Sequence, residues 1–168
     1  KSSTGIPYVP VKSFPKLGLL SALSFLEWVN ENPNGVISLP TGKTAQYFLK
    51  FTQQLLETWE TKKTRELLER YRLSHIEKPR LNNLQFVQVG EFYPINPEQH
   101  NSLFNYVNKY YIEGFGLDIN KALLINSNEI PLAENKHFTE IFPDYIIDLT
   151  LRYREAKTRQ EQLQQESV

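Results

Sequence analysis

The chain has 168 residues, 40% of them hydrophobic and 23% charged, a balance that fits one folded globular domain and excludes a disordered or fibrous chain. Lys+Arg and Asp+Glu both number 19, so the net charge is zero and there is no field to draw in nucleic acid or an anionic membrane. There is no cysteine, which excludes disulfides, thiolate metal sites and a cysteine nucleophile. No stretch approaches the roughly 18 apolar residues of a membrane span, and no apolar signal core opens the chain, so a soluble cytoplasmic protein is expected.

Two prolines make Ile6–Val11 an extended lead-in. From Phe14 to Asn30, Leu17, Leu20, Ala22, Leu23, Phe25, Leu26 and Val29 recur at helical spacing, and Asn32-Pro33-Asn34-Gly35 stops the helix. Val36–Leu39 is a short buried strand ended by Pro40. The stripe Tyr47, Phe48, Phe51, Leu55, Leu56 and Trp59 predicts a second helix over Ala45–Thr61, and the charged stretch after it holds a short helix over Thr64–Tyr71. Leu84–Val89 alternates apolar with polar residues and supplies a second strand. Asn101 or Ser102 caps a third long helix through Leu103, Phe104, Val107, Tyr110 and Tyr111, closed by Gly114 and Gly116. Lys121–Ile125 is a third strand, Asn126–Lys136 a loop, and residues 144–168 a terminal helix running over Asp144–Gln165, with Tyr145, Ile146, Leu149, Tyr153 and Ala156 facing inward and a charged, Gln-rich last stretch over Glu155–Glu166.

Alternation of strands and helices predicts a single α/β domain over residues 1–168, with a mainly parallel sheet flanked by helices in three layers. Three strands leave both sheet edges open, so the chain is expected to be an incomplete copy of the fold, the N-terminal part of a longer protein.

The sharpest local feature is Ser38-Leu39-Pro40-Thr41-Gly42-Lys43-Thr44, where a strand gives way to a glycine turn and a helix N-terminus. Outward backbone N–H groups and the helix dipole suit a phosphate there, with Thr41 and Thr44 hydroxyls and the Lys43 charge in support. The alternative is a plain turn in which Thr41 or Thr44 caps the helix. A P-loop is excluded, because the required upstream glycine is missing. At the end of the second strand, Gly90-Glu91 occupies the place where open α/β sheets gather ligand groups. Glu91 can serve as a general base or as an orienting residue, or be merely solvated or ion-paired. His75, His100 and His137 lie in polar, loop-like surroundings without metal-ligand spacing, so neither metal nor cofactor is expected. Phe104, Tyr106, Tyr110 and Tyr111 form a packing face, and Lys62-Lys63-Arg65 a solvated helix surface.

Leu39-Pro40-Thr41-Gly42-Lys43-Thr44, Gly90-Glu91-Phe92, Ser102-Leu103-Phe104 and Gly116-Leu117-Asp118-Ile119, in that order and over about Val36–Asn128, resemble the motifs of glucosamine-6-phosphate deaminases and the related 6-phosphogluconolactonases. The resemblance implies that Gly42, Lys43 and Thr44 hold a sugar 6-phosphate, that Thr41 supports the loop, and that Gly90 and Ser102 line the site. The family's proton-abstracting Asp falls on Gly90, which makes Glu91 the one carboxylate of this turn able to act as base. The family's Gly-x-Asp-Gly-His segment has no counterpart between Asn128 and Val168.

Three functions follow as expectations. The intact protein is a sugar-phosphate isomerase or deaminase, with this chain inactive alone; or the chain is a sugar-phosphate-binding regulatory module that has lost the base; or it is a structural domain assembling through its terminal helix. A sugar phosphate is the expected ligand, nucleic acid and membrane are not partners, and homo-oligomerisation is open.

Overall fold

A computed structural model describes residue 5 and residues 8–93, 95–130 and 148–167. The chain packs as two compact units, Lys1–Gly35 with Pro40–Leu84, and Val36–Leu39 with Gln85–Val168.

The first unit is helical. Helix α1 (Phe14–Glu31) opens on Ser13, whose hydroxyl accepts the Lys16 N–H at 3.4 Å, and has Pro15 in its first turn, where the missing N–H costs nothing. It ends where Asn32 turns its own N–H back to the Trp28 carbonyl at 2.8 Å. Gly18, Ala22, Leu23, Leu26 and Val29 form its buried face. That face meets helix α2 (Gln46–Glu57), with Phe25 edge-on to Phe48 at 5.5 Å. The two backbones approach closely at Gly18, where an added Cβ would lie 2.6 Å from the Tyr47 carbonyl carbon and 2.8 Å from the Phe48 nitrogen. Helix α3 (Lys62–Arg70) is capped by Thr61, whose hydroxyl accepts the Thr64 N–H at 3.3 Å. It closes through Arg72, at φ +62°, and a Leu73 N–H to Leu68 carbonyl bond of 2.8 Å. The second predicted helix therefore stops at Glu57. The Thr58 hydroxyl bonds back to the Gln54 carbonyl at 2.7 Å, competing with the helical ladder where Thr61 begins the next helix.

The second unit carries the sheet. Strands β1 (Val36–Ile37), β2 (Gln85–Val87) and β3 (Ala122–Leu123) are parallel, in the order β1-β2-β3. Val36 pairs with Gln85, Ile37 and Ala122 with Phe86, and Leu123 with Val87. This is the α/β arrangement with a parallel sheet that the pattern predicts. The strands are shorter than predicted, since Pro40 cannot donate to a ladder and the chain leaves β2 for the turn at Gly90. Helix α4 (Leu103–Val107) runs on as a π-helix over Asn108–Glu113. It covers one face of the sheet, placing the fully buried Tyr111 against Phe86 at 5.6 Å and Phe115 at 5.3 Å. Gly116, at φ +69°, ends it.

The continuous helix predicted from Asp144 is not what forms among the described residues. Leu149–Arg152 is a 3-10 turn, Tyr153–Thr158 is irregular, and helix α5 covers Arg159–Ser167. Asp148 accepts the Thr150 N–H at 2.9 Å and the Arg154 guanidinium at 2.6 Å, contacts that favour a tight turn over a helix. The predicted start, Asp144–Ile147, and most of the loop predicted to Lys136 lie outside the described residues. Among the described residues, no helix is long and apolar enough to cross a membrane.

Candidate functional site

The Thr41–Thr44 turn belongs to the first unit, and Gly90, Glu91 and Ser102 belong to the second. Gly42 adopts φ +93° and ψ −174°, a region open essentially to glycine alone. A Cβ at this position would meet nothing within 4 Å, so the requirement for glycine is conformational and not steric. Lys43–Ala45 then forms a single 3-10 turn, with the Ala45 N–H on the Gly42 carbonyl at 3.2 Å, and leads directly into α2. Among the described residues, no side chain caps this turn or α2. The alternative in which Thr41 or Thr44 caps the helix is thus not adopted: backbone bonds of the 3-10 turn tighten the entry instead. Lys43 and Thr44 are exposed and Thr41 is half-buried. A helix entered in this way keeps its positive end toward solvent, beside a lysine.

In the second unit the Glu91 carboxylate gathers four donors. One oxygen accepts the Phe92 N–H at 2.8 Å and the Leu103 N–H at 3.0 Å. The other accepts the Ser102 hydroxyl at 2.8 Å and the Phe104 N–H at 2.6 Å. A carboxylate offers about four lone-pair sites, and all are taken. The fully buried Ser102 passes the chain on, its oxygen accepting the Asn105 N–H at 3.2 Å as the N-cap of α4. Glu91 and Ser102 are therefore brought together, as strand end and helix start. Gly90 sits beside them with its carbonyl on the Gln88 side-chain amide at 2.9 Å and with open space where a Cβ would stand.

Gln88 is a residue that the sequence pattern does not single out. The alternation over Leu84–Val89 assigns it to the polar, solvated face of a strand, yet it is buried. Its N–H reaches the Leu123 carbonyl at 2.9 Å, and its side-chain oxygen accepts the Ile125 N–H at 3.0 Å. It continues the β2–β3 ladder with a side chain where the backbone bends away. The one available signal was a glutamine two residues before a glycine at a strand end.

His75 and His100 are exposed, and His137 lies outside the described residues. Among the described residues, no group of three His, Cys, Asp or Glu is placed to hold a metal ion. Burial, reinforced by the neighbouring Tyr106, pushes the Tyr111 phenol far above its ordinary range, and burial also raises that of Tyr93. Tyr111 is thus a packing residue.

No family model matches the chain, and no curated protein does. A solved structure shares its fold. The chain is similar to a monomeric glucosamine-6-phosphate deaminase described as a missing link of the NagB superfamily, with a TM-score of 0.55 and 16% identity. The likeness covers 73% of this chain and 44% of that one, so this chain spans less than half of its neighbour's length. At that identity the shared property is the fold: an α/β frame with a parallel sheet, as the motif order implies.

Proposed function

We propose that the chain holds a phosphorylated sugar at the Thr41–Thr44 turn, as the phosphate-binding part of a deaminase-like sugar-phosphate fold, and that Glu91, in the second unit, ties the end of β2 to α4. The observation that carries this is the Gly42 turn, which leads into α2 with no side-chain cap among the described residues and with the exposed Lys43 and Thr44 alongside. The likeness in fold to a glucosamine-6-phosphate deaminase supports a sugar phosphate as the ligand class. Gly90 brings no acid or base, and Glu91 has spent its lone pairs on α4. Calorimetric titration with glucosamine 6-phosphate is the test. Gly42→Ala, Lys43→Ala and Thr44→Ala each weaken binding if the turn holds the phosphate, and unchanged affinity in all three rejects the assignment.

A second function rests on a different observation. Glu91 stands just past the C-terminal end of β2, where α/β enzymes gather their reacting groups. In the intact protein it would serve as the base of an isomerase or deaminase after releasing one of its four donors. Glu91→Gln in the intact protein then abolishes turnover, and retained turnover removes Glu91 from the chemistry.

A further inference from the structure

Between α3 and β2 the chain passes through Ser74–Arg80 with no regular secondary structure, yet the segment is pinned. Leu73, Ile76, Pro79 and Leu81 are all buried, so an apolar anchor recurs every two or three residues. The Asn30 side-chain amide adds a bond to the Glu77 carbonyl at 3.5 Å. The residues between the anchors, Ser74, His75, Glu77, Lys78 and Arg80, are all exposed. With Glu60 and Arg65 they line a cleft of about 610 Å³, inside the size range of small-molecule sites.

The charges in this cleft do not balance. Arg65 is committed to Glu60 at 2.6 Å. Among the described residues, no ion pair engages His75, Lys78 or Arg80, and Glu77 is the one carboxylate left beside them. A chain whose 19 positive and 19 negative side chains cancel overall thus concentrates an ammonium, a guanidinium and an imidazole along one anchored segment. The order of that backbone is already supplied by its buried anchors, so an anion met by three kinds of donor has to order their side chains but not the segment that carries them.

The geometry points to a second anion site in this cleft, one that takes a small phosphate-bearing metabolite through His75, Lys78 and Arg80. None of its lining residues belongs to the Thr41–Thr44 turn, so it stands or falls independently of the function proposed above.

The test is an NMR titration of the full chain with inorganic phosphate, following the His75 ring signals for the cleft and the Gly42 amide for the turn. Saturable shifts at His75 are expected, with chloride at equal ionic strength producing none. Lys78→Ala and Arg80→Ala should each weaken the His75 response about five-fold, the scale of one exposed charge pair, and leave the Gly42 amide as in the parent chain. Glu77→Gln removes the opposing carboxylate and should tighten it. The site is overturned if His75 does not respond, if chloride reproduces the response, or if the Lys78→Ala, Arg80→Ala double variant responds as the parent does. Should that double variant lose its fold, an unchanged affinity in Glu77→Gln overturns the site equally.

Discussion

The Glu91 carboxylate accepts the Ser102 hydroxyl at 2.8 Å, across eleven positions of the chain. That bond, with those from the Leu103 and Phe104 amides, places a negative charge at the positive end of α4 and ties the end of β2 to it. Glu91→Ala leaves the buried Ser102 hydroxyl and two helix amides without their acceptor, and should cost the second unit about 2–3 kcal/mol, the range for hydrogen bonds to a charged group. Glu91→Gln keeps the size and half of the acceptor capacity and should cost less. Urea denaturation monitored by near-ultraviolet circular dichroism of the Tyr106–Tyr111 cluster reads the difference, and equal stability of Glu91→Ala and the parent would contradict the tether.

In the first unit, the α1–α2 contact depends on the absence of a side chain at position 18. An added Cβ lies 2.6 Å from the Tyr47 carbonyl carbon, a backbone atom that no rotamer change can move. Gly18→Ala should therefore destabilise by about 1–3 kcal/mol through overpacking, although alanine is the better helix former. Gly18→Val should cost more. Thermal melts of the two variants check the order, and a stabilised Gly18→Ala would show that the helices approach less closely.

The C-terminal segment is held by Arg154, which binds Asp148 and Glu161, each at 2.6 Å. The Thr150 hydroxyl and then Arg154 pull the Asp148 carboxyl down to about 2, and Arg154 leads the causes that lower Glu161, while the same two carboxylates raise Arg154. Carboxyls depressed in the folded state contribute stability that is complete above their ordinary values of 3.8 and 4.5 and is lost as the pH falls through the folded values. Docking of α5 should thus weaken between about pH 4.5 and about pH 2, with lower amide protection factors over Glu161–Gln165, each taken against the intrinsic exchange rate at that pH. Arg154→Gln should show that low protection already at pH 7. Protection factors that stay constant over this window would dissociate α5 from these pairs.

What the sequence determined by itself were the parts written in local chemistry. Apolar residues spaced for one face place α1, and a charged stretch places α3, within one to two residues of their observed bounds, Ser102 is one of the two legible N-cap candidates, and the β–turn–α order yields a parallel sheet. Gly42 marks a turn because few other residues reach its φ. Tertiary structure decided the rest, because the deciding partners are distant in sequence. Gln88 is polar by pattern but buried, since Ile125, 37 residues on, needs an acceptor where the ladder ends. Glu91 reads equally as a base, an orienting residue or a solvated or ion-paired group until the amides of α4 are brought to it. The terminal helix, continuous by composition, is interrupted where Asp148 binds the Thr150 N–H and the Arg154 guanidinium, a turn geometry that a continuous helix does not offer. Periodicity reports which face of an element is buried, whereas the claims on a charged or amide side chain depend on which backbone ends the fold leaves unpaired beside it.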